Sequence, residues 1–250
     1  MLELDITEQR QKLIYSLKVA LGVCFFCIFV HIFFLISPYP NYYFSIFPRT
    51  INQWYGIFTG HYIHGSWVHL FSNIPPLLVT IGMIFFFYRS IGWAVYSMIW
   101  ILTGFAVFMF ARQYSHVGAS GLVYGFISFI FFSGIFRRNV KSIALMVIVA
   151  IMYSGYSAGF LPSDAKISWE SHLFGAIAGA WTAFIFRNYR ENDEIEEKFE
   201  WKGQDRTPKD FFLPRDAFQK TKLERIEEAR LLEEEFKKKE EDNSNWTFFQ

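Results

Sequence analysis

Charged residues are missing from six long stretches of this chain, and those gaps limit its fold more than any other feature. No Asp, Glu, Lys or Arg lies between Lys18 and Arg49, Arg49 and Arg89, Arg89 and Arg112, Arg112 and Arg137, Lys141 and Asp164, or Glu170 and Arg187. A bilayer core of about 30 Å takes about 20 apolar residues at ~1.5 Å rise each. Residues 19–36, 68–88, 91–111, 117–136, 142–161 and 171–186 have that character. The last is short, so its polar start is expected below the membrane surface. A hydrophobic share of 52% could also describe a large soluble domain, so only the arrangement decides. The expected class is an all-α polytopic membrane protein, a bundle of six transmembrane helices.

The net charge of +1 conceals an uneven distribution. Residues 189–250 hold 13 of the 24 Lys and Arg and 18 of the 23 Asp and Glu, and read as a charged tail. Leu223, Ile226, Leu232 and Phe236 have helical spacing within it, so a surface helix or short coiled coil competes with disorder there. No net basic patch stands out, which argues against nucleic acid as a partner. Cys24 and Cys27 form a C-x-x-C pair among Val, Phe and Ile, without the polar neighbours that thiolate chemistry needs; a packing role is expected. No cleavable signal peptide is expected either, because the first apolar run is long enough to span and lacks a small-residue cleavage pattern.

Lys and Arg near span ends favour the cytoplasmic side. With the N-terminus inside, the inner segments carry Arg10, Lys12, Lys18, Arg89, Arg137, Arg138, Lys141, Arg187 and Arg190, and the outer loops only Arg49, Arg112 and Lys166. Both termini are therefore expected in the cytoplasm, with 1–18 and 189–250 flanking a membrane domain over 19–188. Spans two, four and six then all run inward from the outer face, and their first residues share one side of the bilayer.

Those first residues are polar where packing gives no reason for it. His64, His69 and Asn73 lead into span two, Ser120 into span four, and His172 into span six. Gly118, Ala119 and Gly121 leave the Ser120 hydroxyl open to a close approach, although a serine bonded back to its own helix is common in membranes. An imidazole at membrane depth, such as His172, calls for a partner or a water-filled cavity. Gly121 and Gly125 form one G-x-x-x-G pair, and Gly175 and Gly179 another, so spans four and six can touch along them. That contact would bring Ser120 toward the ~2.6–3.2 Å from His172 needed to activate a nucleophile. Glu170 is expected on another helix face and Asp164 in the preceding loop, so the reading is a Ser–His dyad. Tyr124 shares a face with Ser120 and either packs on the imidazole or serves as ordinary core. His69 and Asn73, also i,i+4, either stabilise each other or donate to a developing oxyanion. A zinc site from His64 and His69 has poor helical spacing and no acidic ligand. His31, His61 and His116 lack such context and read as structural or interfacial.

Taken together, His64-x4-His69-x3-Asn73, Gly118-x-Ser120-Gly121 with Tyr124, and His172-x2-Gly175-x3-Gly179 resemble the rhomboid intramembrane serine proteases over roughly residues 15–188. The resemblance implies a six-span fold, Ser120 as nucleophile and His172 as general base. It implies an oxyanion hole from His69, Asn73 and backbone N–H groups near Ser120, including that of Ala119, and a Tyr124 ring packed on the catalytic imidazole. Transmembrane proteins cleaved near the outer boundary would be the substrates, with no metal and no cofactor. One departure concerns the first loop. Many members carry a Trp-Arg pair there, whereas Trp54 is followed by Tyr55 and Gly56, and the only arginine is Arg49.

Two further expectations concern loops. The aromatic segment 37–67 should lie partly in the bilayer interface, and 159–170, with Gly, Pro and Ser before His172, could act as a lid. Two rivals remain. An inactive rhomboid-like protein that binds or escorts membrane clients is disfavoured by the presence of both Ser120 and His172. A transporter would want charged or broken-helix sites at mid-membrane, and Pro75-Pro76 more simply kink span two.

Overall fold

A computed structural model describes residues 2–161, 168–191, 194 and 219–246. It forms two units, Met1–Glu196 and Glu197–Gln250. The first is a helical bundle of α1 (Leu2–Ile36), α2 (Gly56–Thr59), α3 (Trp67–Phe87), α4 (Gly92–Phe110), α5 (Ser120–Arg137), α6 (Val140–Met152) and α7 (Trp169–Ile185).

The spans of this unit expose large apolar side chains, as the charge gaps require. On α1, Ala20, Cys24 and Cys27 are buried at i, i+4 and i+7, whereas Phe25, Phe29 and Phe33 stay exposed. One stripe packs toward α3, and the remaining face suits hydrocarbon. Both cysteines are buried and unoxidised, in keeping with packing. Among the described residues α1, α3, α4 and α5 are long and apolar enough to cross a membrane. α6 makes a bent fifth candidate with the 3-10 turn Ser154–Phe160, and α7 has 17 residues.

The expected continuous run 142–161 is thus broken. α6 ends at Met152, and the chain bends by 67° into the turn. Ser154, Gly155, Ser157 and Gly159 explain this, since glycine propagates a helix poorly and serine competes for backbone groups. The Ser154 hydroxyl donates to Ile151 O (3.3 Å) and that of Ser157 to Ser154 O (3.0 Å).

The connection from α1 to α3 is tied down at several points. Arg49, at φ 56°, donates through Nη1 to the carbonyls of Met109 (3.2 Å) and Ala111 (2.8 Å). Its own N–H reaches Phe108 O (2.9 Å). A cation thus satisfies the orphan carbonyls at the C-terminal end of α4. Ile46 and His116 form an isolated antiparallel bridge with two 3.0 Å bonds. So Arg49, although it lacks a Trp neighbour, does anchor the loop.

The closest helix contact is α5 against α7. A methyl group on Gly175 would collide with the Gly121 carbonyl, and one on Gly179 with the Gly125 carbonyl. The expected glycine contact is real: backbone meets backbone along four residues. Behind it, Leu122, Phe126, Phe129 and Ile130 fill the core against Leu77, Ile81 and Ile84 of α3.

In the second unit, α8 (Lys222–Trp246) opens with a capping box. Thr221 N–H donates to Glu224 Oε2 (2.7 Å), and Glu224 N–H returns a bond to Thr221 Oγ1 (3.4 Å). Leu223, Ile226, Leu232 and Phe236 are exposed on it. Of the expected tail, residues 192–193, 195–218 and 247–250 lie outside the described residues.

Candidate active site

Ser120 is the first residue of α5, and its position follows from the turn before it. Gly118 sits at φ +113°, where a side chain would be strained, and a methyl there would lie 2.7 Å from the His69 ring. Glycine is required on both counts. Its N–H donates to Gly60 O (3.0 Å), which pins the turn to the first connecting segment. The chain then enters α5, leaving Ser120 half-buried. As a first-turn residue, Ser120 has no intrahelical acceptor for its N–H, which forms part of the positive end of the helix dipole.

His172 lies in the first turn of α7 and is 7% exposed. Three contacts define its ring. Tyr124 stacks on it, with centroids 4.2 Å apart and planes 11° from parallel. Gly159 O lies 2.8 Å from Nδ1. A carbonyl can only accept, so Nδ1 carries the proton and Nε2 of the neutral ring keeps its lone pair. The Tyr124 hydroxyl donates to Tyr156 O (2.7 Å), so the 3-10 turn Ser154–Phe160 holds both rings. A methyl on Gly159 would strike the Tyr124 hydroxyl and sit 3.1 Å from His172 Nδ1.

Gly159, Tyr156 and Phe160 are what reasoning from the sequence missed. The expected lid began at Gly159, but nothing in the spacing showed that its carbonyl would set a tautomer. The third member of the constellation is a backbone carbonyl, where a carboxylate often stands.

His69 and Asn73 open α3. His69 N–H donates to the capping Ser66 hydroxyl (3.1 Å), and Asn73 Nδ2 donates to His69 O (2.9 Å). One Asn73 N–H is therefore spent on the helix, and the second is available. His64 is 2% exposed and its ring lies 5.2 Å from that of His69. Its Nδ1 donates to Tyr62 O (3.2 Å), and its Nε2 accepts the Ala119 N–H (3.3 Å). Burial, then the His69 ring 5.2 Å away, push its pKa down to about 3, so it is neutral at physiological pH. The Ala119 N–H is accordingly engaged in this structure, and the turn before Ser120 is fixed through it.

The other histidines do not converge on this point. His31 Nδ1 lies 3.1 Å from His64 O, and His61 is buried against Gly104 of α4. His116 bonds to Ser168 (2.6 Å) and to Arg112 O (3.0 Å). Glu170 pairs with Arg112 at 3.1 Å. Asp164 and the other residues of 162–167 lie outside the described residues. Among the described residues no group of three His, Cys, Asp or Glu could hold a metal ion, so a zinc reading of His64 and His69 has no third ligand there. No hydrogen bond joins Ser120 to His172 among the described residues; sites without substrate commonly hold nucleophile and base slightly apart.

Chemically, the arrangement offers a hydroxyl at one helix N-terminus and an imidazole of known tautomer at the next. The His69 ring lies against Gly118 in the turn before Ser120, and Asn73 stands one turn further along α3. Comparison with known proteins places the chain in a family. The chain is 31% identical to an uncharacterized protein of Mycobacterium tuberculosis over 152 residues, covering 56% of this chain and 62% of that relative. It is 34% identical to an uncharacterized protein of Mycobacterium leprae over 141 residues, covering 52% of this chain and 55% of the relative. The match thus spans less than two thirds of either relative's length. Residues 51–189, more than half of the chain, match the family model of the Rhomboid domain. The chain is a multi-pass membrane protein that belongs to the rhomboid family.

Proposed function

We propose that this chain is an intramembrane serine endopeptidase that hydrolyses peptide bonds of transmembrane proteins near the outer membrane boundary. The observation that carries the reading is the His172 ring, stacked on Tyr124 and bonded through Nδ1 to Gly159 O. That bond leaves Nε2 as the basic atom on the helix whose backbone touches α5 at Gly121.

In the proposed reaction Ser120 Oγ attacks the scissile carbonyl while His172 Nε2 takes its proton. The developing oxyanion is met by Ser120 N–H, His69 and the second Asn73 N–H. His172 then protonates the leaving amine, and water, deprotonated by the same ring, releases the acyl group. Donors aimed at an oxyanion in a dry site are each worth about 100- to 1,000-fold. His64 supports this geometry by holding the Ala119 N–H, a more indirect part than the oxyanion-hole role that the resemblance implies for Ala119 itself. In this reading residues 19–188 carry the chemistry and 189–250 a cytoplasmic tail. The membrane is a bacterial cytoplasmic membrane, with both termini inside; the charge bias and the mycobacterial relatives support this.

A second reading, an inactive rhomboid-like protein that binds or escorts clients, draws on the absence of a Ser120–His172 bond and on the engaged Ala119 N–H. Labelling with a serine-reactive fluorophosphonate separates the two. Wild type is expected to label, and Ser120→Ala and His172→Ala are not, and only wild type should cleave a model transmembrane substrate in liposomes. Label that persists in Ser120→Ala removes the assigned nucleophile. A folded wild type that neither labels nor cleaves favours the escort.

A further inference from the structure

Four polar residues beside this site have no part in the chemistry above: Arg112, His116, Ser168 and Glu170. Two belong to the segment leading into Ser120, and two to the entrance of the helix that carries His172. His116 is 1% exposed, so each of its ring atoms needs a partner. Nε2 lies 3.0 Å from Arg112 O, an acceptor only, and therefore carries the proton. Nδ1 then accepts from the Ser168 hydroxyl at 2.6 Å. Ser168 Oγ in turn accepts from the Ser171 hydroxyl (2.6 Å) and, as the N-cap of α7, from Ser171 N–H (3.4 Å). Beside this chain, Arg112 Nε lies 3.1 Å from the buried Glu170 carboxylate.

We propose that His116 is a positioning residue, which grips the first turn of α7 through Ser168 and Ser171 and so sets the register of His172 over Ser120. The proposal rests on the protease reading. The α5–α7 interface explains why a directional link is needed. Glycine backbones allow close approach there and offer few side-chain knobs; deeper in, the Ser128 hydroxyl donates to Ala176 O (2.6 Å), which leaves the first turn of α7 as the part still to be held. A short polar chain between the same two segments supplies that hold. His116 stands four residues before Ser120, and Ser168 four before His172, so clasp and dyad are parallel links. The clasp also has a fixed base, because the His116 backbone is bridged to Ile46 on both sides. The Arg112–Glu170 pair adds a second, ionic tie to the same turn.

The test uses the full chain in liposomes and separates the maximal rate of fluorophosphonate acylation from the half-saturating concentration. Wild type, His116→Ala and His116→Asn are compared, since the Asn amide oxygen can accept the Ser168 hydroxyl as Nδ1 does. A misplacement of about 1 Å is worth up to ~100-fold. His116→Ala should therefore acylate roughly ten- to a hundred-fold more slowly, with half-saturation and Tm near wild type. His116→Asn should recover most of that loss. An Ala variant as fast as wild type overturns the proposal. So does a slow Ala variant whose Tm falls in step and which Asn does not rescue. Should His116→Ala fail to fold, Ser168→Gly, which keeps a competent N-cap without the hydroxyl, must show the same rate loss. A wild type that takes no label defeats the protease reading instead. Hydrogen exchange then decides the clasp alone: amides of residues 171–173 must exchange faster in His116→Ala but not in His116→Asn, and equal rates overturn it.

Discussion

Buried polar groups are used differently at the two ends of the helix bundle, although both ends contain an ion pair, Arg112–Glu170 at the Ser120 end. At the end far from Ser120, charges meet charges. Arg137, 3% exposed in its side chain, donates to Glu194 and to Tyr189 O and lies over the Tyr88 ring at 5.0 Å. Lys141 Nζ lies 2.9 Å from Glu194 Oε1. Glu191 accepts from the Ser90 hydroxyl (2.7 Å) and the Ser90 N–H (3.3 Å), which ties the α3–α4 turn to the chain beyond α7. At the Ser120 end the centre is built from neutral groups that keep valences open: His172 Nε2, the Ser120 hydroxyl, one Asn73 N–H. A buried polar group matched to a partner fixes structure. One held firmly on one side and left open on the other is poised for a reactant.

The sharpest way to break this contrast is to delete one group at each end. Ser120→Ala is expected to lower substrate cleavage at least ~1,000-fold, as loss of a nucleophile does, with Tm nearly unchanged. Arg137→Ala should do the reverse. It removes one of the two cations on the buried Glu194 carboxylate and leaves Lys141 at 2.9 Å, so the loss of stability should be about 1–3 kcal/mol, short of the cost of a wholly unpaired buried charge. The acylation rate of the protein that remains folded should match wild type. Thermal melting and fluorophosphonate kinetics on both variants check the pair. Equal stability losses at the two ends would erase the distinction.

Acid should also distinguish the ends. Burial pushes His61 down to about 4 and His64 down to about 3 from an ordinary value near 6.5, and it lowers His116 as well. Between pH 6.5 and 4 the unfolded chain binds protons at His61 and His64 that the folded one refuses. Stability present above pH 6.5 is therefore lost as pH falls through that window. For His61 and His64 the loss is about 1.4 kcal/mol each at pH 5.5. Hydrogen exchange at pH 7.5 and 5.5, corrected for intrinsic rates, should show protection falling in residues 56–66 before it falls around Tyr88 and Arg137. His61→Phe should blunt the change.

How much of this was legible beforehand follows the kind of information involved. Charge gaps and glycine spacing are local, so the helical class and the α5–α7 contact could be read directly. The Tyr124–His172 stack followed from i,i+4 spacing together with the resemblance. Arg49 was visible as an oddity, but its grip on the α4 carbonyls depends on a left-handed backbone and a contact 60 residues away. The break at Tyr153 was hidden because hydropathy averages over the Ser and Gly residues that cause it. His64 stands out in the sequence beside His69, yet its bond to Ala119 depends on which ring atom faces which carbonyl. Backbone atoms that act as side chains do, such as Gly159 O, carry no residue-type signal at all.

Gly159 offers the finest test of the open-valence end. Gly159→Ala puts a methyl against the Tyr124 hydroxyl and 3.1 Å from His172 Nδ1. The 3-10 turn must retreat, and the 2.8 Å bond that selects the tautomer lengthens with it. The global fold has no stake in that bond, so Tm should hold while the maximal acylation rate falls about ten-fold, the scale expected of a base slightly displaced or mis-tautomerised. The second mutation of a cycle locates the cause. Tyr124→Phe removes the atom that the methyl strikes, so Gly159→Ala should cost less in that background than alone. Additive losses would mean that the methyl acts elsewhere, and that the Gly159 carbonyl is a neighbour of the imidazole rather than its support.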